Sequence, residues 1–300
     1  MKSIGIISHD AGGAEVISCW VKENLNRFSF KFLLKGPAIS IFKKNISEDI
    51  IIQSDRDNMF KICDYFICST SWQSNLEKSF VYEANLKNKK VISILDHWAN
   101  YKERFFYKDK LCLPSEIWVC DSYALDIAKS LFKKTKIKLI PNPYIKKIKK
   151  KIYSLAKKKY TDAPHKILYV CEPIKEHAML QHGNENHYGY DENTALKYFL
   201  DSINSTKIKF DSIQIRPHPS ESEKKYKWAL DEYKNLNLYI SSRNELIKDI
   251  FSSEIVVGCE SMAMVIGIIA NKAVFTSIPP WGRKCILPHS SIKNFYEELT

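Results

Sequence analysis

The sequence predicts an α/β protein built from two Rossmann-like domains that face a central cleft. Three observations lead to this prediction: a length of 300 residues, short apolar runs that alternate with amphipathic stretches, and a restart of that alternation after a lysine-rich segment. Chains of this length usually divide into domains of about 150 residues. We therefore expect an amino-terminal domain over residues 1–145, a lysine-rich linker over 146–162 and a carboxyl-terminal domain over 163–300.

In the first half, predicted strands and helices alternate as far as a Pro-Asn-Pro break at residues 141–143, which ends regular structure. Strands joined by helices of ten or more residues form parallel βαβ units. Apolar runs predict strands at 4–8, 30–34, 39–42, 50–52, 65–69, 91–95, 117–120 and 137–140. Helical spacing of apolar residues predicts helices at 14–24, 74–88 and 123–132.

The second half repeats the pattern. Strands are predicted at 167–171, 212–215, 238–240, 255–258 and 273–276. Helices are predicted at 192–204, 223–234, 244–251 and 261–270, with a helical end. Because ligands of such folds bind at the carboxyl ends of parallel strands, functional residues should follow strands directly.

Charge is concentrated in one segment. The chain has 46 Lys and Arg against 34 Asp and Glu, a net charge of +12, and thirteen lysines with no acidic residue lie between positions 127 and 161. Such a cluster attracts an anionic membrane surface or a polyanionic ligand, or is simply a solvated linker and helix face. No recognised nucleic-acid motif accompanies it. We expect contact with an anionic membrane surface and no nucleic-acid partner.

The remaining composition predicts an intracellular protein. No apolar run reaches the ~20 residues needed to cross a bilayer, and the first residues carry no signal-peptide cleavage site. The eight cysteines are scattered without a Cys-x-x-Cys pair, so reduced core thiols are expected. The predicted location is cytoplasmic, peripheral on the inner face of the plasma membrane where the lysines bind it.

The first predicted strand ends in a polar turn that could contact an acceptor. Gly12 and Gly13 let backbone amides approach a ligand at a helix start. Asp10 can remove a proton from an acceptor hydroxyl, although it could merely cap the helix. Asp96 and His97 follow another strand and compete as the base, or form a structural pair. We predict Asp10 as the catalytic base and the other four residues as acceptor contacts.

Polar residues in the second half predict a nucleotide pocket. The Arg-Pro-His-Pro turn fixes Arg216 and His218, and a rigid histidine can hydrogen-bond a phosphate. At a later strand–helix junction, the Ser261 hydroxyl and helix amides suit a phosphate and Glu260 suits ribose hydroxyls, although both could cap the helix. Glu172 ends the first strand of this half. His218 is the predicted second catalytic residue, and the other four are predicted donor contacts.

No metal or cofactor is predicted. His177, His182 and His187 are irregularly spaced in a Gly- and Asn-containing stretch, which is not a helical metal pattern. We interpret residues 177–190 as a mobile loop over the site. Asp55-Arg56-Asp57 has the spelling of a metal-binding Asp-x-Asp motif, but we interpret it as a surface turn.

Together, the two-Rossmann layout, the turn containing His218 and the junction containing Glu260 and Ser261 resemble GT-B glycosyltransferases. The resemblance is greatest to bacterial enzymes of capsule and lipopolysaccharide synthesis that use CMP-activated sialic-acid-like or Kdo sugars. It implies that His218 contacts the CMP phosphate, Glu260 the ribose and Ser261 the phosphate, with Asp10 as base. It also implies an inverting, metal-independent transfer to a glycan or lipid-linked acceptor. The paired serines of that group are not clearly present, since Ser261 stands alone after Glu260.

Three other hypotheses stay open. The chain could be a UDP- or GDP-sugar transferase of the same fold, or a hydrolysing nucleotide-sugar 2-epimerase. An epimerase needs further acid/base carboxylates, for which Asp96 and Glu172 are candidates. Alternatively, the chain could be a non-catalytic, membrane-associated binding protein that uses its lysine cluster.

Overall fold

The structure, a computed structural model, describes residues 1–157, 165–241 and 245–299. Two compact units divide the chain, Met1–Lys147 and Ile148–Thr300. Of the predicted linker, residues 146–157 are helical and belong to a helix that spans Pro143–Lys157. Residues 158–162 lie outside the described residues.

The first unit is built on a six-stranded parallel sheet. Its strands are β1 (Lys2–Ser8), β2 (Phe28–Leu34), β3 (Tyr65–Cys68), β4 (Val91–Ile94), β7 (Glu116–Val119) and β8 (Lys136–Leu139), and a small antiparallel pair consists of β5 (Phe106–Tyr107) and β6 (Lys110–Leu111). The spatial order is β2-β1-β3-β4-β7-β8. Its helices are α1 (Ala11–Asn24), α2 (Pro37–Asn45), α3 (Arg56–Ile62), α4 (Leu76–Leu86), α5 (Ser122–Leu131) and α6 (Pro143–Lys157), of which α6 continues into the second unit.

The second unit repeats this architecture. Its parallel strands are β9 (Lys166–Val170), β10 (Ser212–Arg216), β11 (Leu238–Ile240), β12 (Ile255–Gly258), β13 (Ala273–Thr276) and β14 (Ile292–Asn294), in the order β11-β10-β9-β12-β13-β14. Its further helices are α7 (Ile174–His182), α8 (Glu192–Ser202), α9 (Lys227–Glu232), α10 (Leu246–Phe251) and α11 (Met262–Ile269). Central strands such as β9 are buried along their whole length, as expected for a sheet covered on both faces.

Five local predictions were wrong. Residues 39–42 belong to α2, because Pro37 starts a helix and Ala38 and Phe42, four residues apart, are both buried on its inner face. Residues 50–52 form no strand, because Ile50 ends a 3-10 turn at Glu48–Ile50 and the two residues after it are irregular.

The other three errors concern segments expected to be irregular or helical. The segment predicted as a surface turn at residues 55–57 instead begins α3: Asp55 is exposed, but its carboxylate accepts from the amide of Asn58 and caps the helix, to which Arg56 and Asp57 belong. The stretch 177–190 begins inside α7, which ends at Gly183 in the left-handed conformation (φ +66°). The carboxyl end contains β14 and a 3-10 turn at Phe295–Glu298 in place of an α-helix.

The cysteines fit their prediction as core thiols. All eight are free, and six are buried. Burial raises the pKa of Cys68, Cys171 and Cys259 well above the usual thiol range. Within the described ranges, no helix combines the length and the apolar character needed to span a bilayer.

Candidate functional site

Each unit gathers polar side chains at the carboxyl edge of its sheet. In the first unit, β1, β3 and β4 are neighbours, so the residues that follow them share one edge. In the second unit, β10, β9, β12 and β13 are consecutive in the sheet. The polar residues predicted after strands therefore form two clusters, one in each unit.

Asp10 lies at the N-cap position of α1, but its side chain makes no capping hydrogen bond. Instead, its Oδ1 lies 2.8 Å from His9 Nδ1. Both side chains are partly exposed, His9 by 32% and Asp10 by 23%. When His9 Nδ1–H donates a hydrogen bond to Asp10, the lone pair of the neutral imidazole is on Nε2, which is the arrangement of a histidine base oriented by a carboxylate.

Gly36 keeps the space beside His9 open. Its φ is +52°, and a Cβ at this position would lie 2.7 Å from His9 Nε2. The backbone amide of Ala38 also donates to the His9 carbonyl. A side chain at position 36 would therefore be strained and would cover the nitrogen that has the lone pair.

Glu77, in α4, hydrogen-bonds the turn that contains His9 and Asp10. It was not among the predicted site residues. It is 2% exposed, and its Oε1 accepts from the His9 amide at 2.8 Å and from the Ser69 hydroxyl at 2.7 Å. Burial raises the pKa of Glu77, and the Ser69 hydrogen bond opposes that shift. Its other oxygen, Oε2, has no hydrogen-bond partner among the described residues. The position of His9 thus depends on a buried carboxyl group.

Asp96 is held by an internal partner. Its Oδ1 accepts from Arg104 Nη1 at 2.9 Å, and the side chains of the pair are 11% and 7% exposed, respectively. Burial raises the pKa of Asp96, and the guanidinium of Arg104 opposes that shift. The His97 ring lies beside Trp98, with centroids 5.5 Å apart. The Arg104 contact favours a structural role for Asp96.

Gly12 and Gly13 allow close packing at this edge. A Cβ at Gly12 would lie 2.1 Å from Asp96 Oδ2, and one at Gly13 would lie 2.4 Å from Ser69 Cβ. Both distances are shorter than any van der Waals contact. The glycines therefore let α1 begin against the ends of β3 and β4, which is a packing requirement separate from amide contact with a ligand.

In the second unit, Glu172 occupies the amino-terminal end of α11. Its Oε1 accepts from the backbone amides of Glu260 at 2.8 Å and Cys259 at 3.2 Å. Burial, with the neighbouring Glu260 charge, raises the pKa of Glu172 to about 8, although these amides pull it down. The amides expected to hold a donor phosphate are thus bonded to a carboxyl group of the chain itself.

Ser261 and Glu260 have different surroundings from each other. The Ser261 hydroxyl accepts from the Ala263 amide at 3.2 Å and caps α11. Glu260 forms an ion pair with Arg283, whose guanidinium lies 3.8 Å from the centroid of the Tyr188 ring. Burial raises the pKa of Glu260, and Arg283 opposes that shift. Arg283 and Tyr188 were not predicted, because they follow no strand directly.

Arg216 and His218 differ in availability. Arg216 Nη1 lies 2.5 Å from Oδ2 of the buried Asp249, so its charge is neutralised within the unit. His218 Nδ1 lies 2.7 Å from the Ser220 hydroxyl and accepts from the Ser220 amide at 3.3 Å. Because Nδ1 accepts this hydrogen bond, the hydrogen of the neutral imidazole is on Nε2. Burial lowers the pKa of His218, which favours this neutral form.

His218 lines a depression of about 250 Å³ together with Arg216, Glu221 and Ser241. Lys225 pairs with Glu221 at 2.6 Å, so the carboxylate in this lining is neutralised within the unit. The described ranges contain no group of three or more His, Cys, Asp or Glu side chains arranged to hold a metal ion.

Part of the lysine-rich segment is paired with acidic groups. Lys146 lies 2.8 Å from Glu23 and Lys147 lies 3.5 Å from Glu15. Lys149 and Lys150 are exposed on α6, further along the same helix. The charge available to a partner is therefore smaller than the count of lysines suggests.

No protein-family model matches this chain, and no curated protein matches it. Solved structures do match. The UDP-GlcNAc 2-epimerase of Methanocaldococcus jannaschii has a TM-score of 0.61 at 12% identity, over 91% of this chain and 83% of that one. The fold is GT-B-like. A UDP co-structure of MnaA from S. aureus also has a TM-score of 0.61, at 10% identity over 93% and 80% of the two chains.

A glycosyltransferase from Rickettsia africae has the same fold, with a TM-score of 0.57 at 11% identity over 92% of this chain and 79% of that one. These three structures confirm the predicted fold, two parallel-sheet α/β domains of the GT-B type.

Proposed function

We propose that this chain is a nucleotide-sugar glycosyltransferase in which His9 and Asp10 together accept the proton of the acceptor hydroxyl. The observation that carries the proposal is the side chain of Asp10, which stands at a helix cap, makes no capping bond and lies 2.8 Å from His9 Nδ1. Asp10, predicted as the base, becomes the partner that orients His9 and stabilises its protonated form.

In the proposed transfer step, these groups account for the proton that moves and for the bonds that form and break. The acceptor hydroxyl gives its proton to His9 Nε2, and its oxygen forms a bond to the anomeric carbon of the sugar. The bond between that carbon and the donor's phosphate oxygen breaks, and its electron pair leaves with the nucleotide. His218, with its hydrogen on Nε2, is suited to donate to a phosphate oxygen. Glu172 and Ser261 both accept from backbone amides at the amino-terminal end of α11, so we assign them to shaping the site rather than to direct donor contact.

The nucleotide we propose is uridine diphosphate rather than CMP. Two of the structures with this fold are described as a UDP-GlcNAc 2-epimerase and a UDP complex. Thermal-shift or calorimetric titration with UDP, GDP, CDP and CMP tests this proposal. A preference for CMP would restore the sialic-acid or Kdo donor, and His218→Ala should weaken whichever nucleotide binds.

The role of Asp10 is tested against a second capping aspartate. Asp10→Ala should lower turnover by about 10²–10⁴-fold with little loss of stability, because no capping bond is removed. Asp55→Ala, the control, removes a bond to the Asn58 amide and should cost about 1 kcal/mol while leaving turnover intact. Turnover is measured as UDP release from UDP-sugars with a panel of acceptors. Full activity of Asp10→Ala would refute the proposed role of Asp10 as the partner of His9.

A hydrolysing 2-epimerase is the second candidate, favoured by Glu172. Its pKa of about 8 keeps this carboxyl protonated at neutral pH, as a general acid requires. Incubation with UDP-GlcNAc and no acceptor separates the two functions by NMR. Rapid formation of the 2-epimer or free sugar supports the epimerase, whereas UDP release that depends on an acceptor supports the transferase.

We also propose that α6 contacts an anionic membrane surface from the cytoplasmic side. Its exposed residues include Lys149, Lys150 and Tyr153, with Lys157 Nζ 4.6 Å from the Tyr153 ring centroid. Binding to liposomes with anionic lipid should fall with salt and fall again in Lys149→Gln/Lys150→Gln. Lys146→Gln, which removes a paired lysine, is the control. An absence of binding at low salt would return the segment to a solvated helix face.

A further inference from the structure

The second unit has a larger concave surface whose lining does not include His218 or Glu260. A groove of about 520 Å³ lies between α8, α9 and the loop after β13. Three aromatic side chains line it, those of Tyr198, Trp228 and Trp281. Its volume is in the range of ligand sites, and neither the fold nor the proposed transfer accounts for its aromatic lining.

Trp281 is both exposed and rigidly held. Its side chain is 64% exposed, and it lines the groove together with the rings of Tyr198 and Trp228. One edge packs against Tyr198, with ring centroids 5.7 Å apart in a T-shaped arrangement. The adjacent Gly282 fits tightly against Tyr190, since a Cβ there would lie 2.6 Å from Tyr190 Cδ1.

The loop is also fixed by its backbone. The amide of Arg283 donates to the Tyr188 carbonyl at 3.1 Å, and the amide of Gly282 donates to the Pro279 carbonyl at 2.9 Å. Ordering Trp281 on binding would therefore cost little conformational entropy. Rigid aromatic side chains of this kind dominate the energetics of binding surfaces.

Polar groups surround the aromatic rings. Trp228 Nε1 donates to Asn193 Oδ1 at 3.1 Å, which orients that amide. Asp191, Asp201 and Glu232 also line the groove, against one lysine, Lys197. The lining is thus acidic in a chain whose net charge is +12.

This combination selects a class of ligand. An acidic lining disfavours phosphates, nucleotides and sialylated sugars by like-charge repulsion. A neutral pyranose has an apolar face of C–H groups that can lie on an indole, and a rim of hydroxyls that can hydrogen-bond carboxylates and amides. We infer that the groove around Trp281 is a binding site for a neutral oligosaccharide. The inference goes beyond the proposed function, because binding there needs neither nucleotide nor turnover.

The test uses the full-length chain without nucleotide sugar. Binding is screened on an array of neutral and anionic glycans and then quantified by calorimetry with a retained glycan. Neutral glycans should be retained, and Trp281→Ala should weaken binding about tenfold or more. Trp281→Phe, which keeps an aromatic ring, should retain part of the affinity.

The control is Tyr153→Ala, because Tyr153 is 63% exposed but lies outside the groove. It should leave glycan affinity unchanged. Retention of no glycan, retention of anionic glycans only, or equal affinity of Trp281→Ala and the unmodified chain would each overturn the inference. None of these outcomes depends on whether Asp10→Ala abolishes transfer, so the two proposals fail separately.

Discussion

Replacement of Glu172 by glutamine should stabilise the protein, and increasingly so as the pH rises. In the folded chain the pKa of Glu172 is about 8, against an ordinary value of 4.5, chiefly because the group is buried. The folded state therefore holds this proton more tightly than the unfolded state does. Stability from this group is complete below pH 4.5 and is lost as the pH rises to 8.

The size of the effect follows from the shift. Ionising Glu172 in place costs about 5 kcal/mol at high pH, at 1.36 kcal/mol for each pKa unit. Between pH 5.5 and pH 9, the free energy of unfolding should fall by about 3 kcal/mol more in the unmodified chain than in Glu172→Gln. The glutamine carbonyl can still accept from the amides of Cys259 and Glu260, so the helix end keeps its partner.

Urea unfolding at pH 5.5, 7 and 9 measures this difference. Glu297→Gln is the control, because Glu297 is exposed and its side chain bonds only locally to Asn294 among the described residues. Its pH dependence should parallel that of the unmodified chain. If Glu172→Gln also ran parallel, the carboxyl group would be ionised and well solvated in the folded state, and the reasoning would be refuted.

Three other substitutions test the first unit by thermal or urea unfolding. Arg104→Met should lower the free energy of unfolding by about 3–5 kcal/mol, because it leaves the Asp96 carboxylate buried and unpaired. Recovery of stability in Arg104→Met/Asp96→Asn would confirm this cause. An unchanged unfolding midpoint of Arg104→Met would contradict it. Gly12→Ala should destabilise the folded protein by about 1–3 kcal/mol, since its Cβ would lie 2.1 Å from Asp96 Oδ2. Ala11→Gly, at the neighbouring exposed position, is the control. Glu77→Gln should reduce turnover more than stability, and equal loss of both would show that it acts only on folding.

The sequence predicted the sheets well because parallel strands buried on both faces are continuous apolar runs. It misassigned residues 39–42 because Ile39, Ile41 and Phe42 satisfy a strand pattern as well as a helical one. The helix is decided by Pro37 and by the burial of Ala38 and Phe42 against α1, and that contact is visible only in three dimensions.

The candidate site also contains residues that the sequence could predict and residues that it could not. Residues that directly follow strands, such as Asp10 and Glu172, could be found because chain order alone brings them to the sheet edge. The side chains that hold the site residues in place could not be found in this way. Glu77 lies in a helix 68 residues beyond His9, and Arg283 lies in a loop 23 residues beyond Glu260, so only packing reveals that they touch.

The buried thiols offer a way to follow each unit separately. Five cysteines belong to the first unit and three to the second: Cys19, Cys63, Cys68, Cys112 and Cys120, then Cys171, Cys259 and Cys285. Burial keeps their pKa values high, to about 12 for Cys120 and about 11 for Cys285, so the folded thiols react slowly with alkylating reagents. A brief alkylation pulse during unfolding, read by peptide mass, would therefore record the order in which the two units open, without any introduced label.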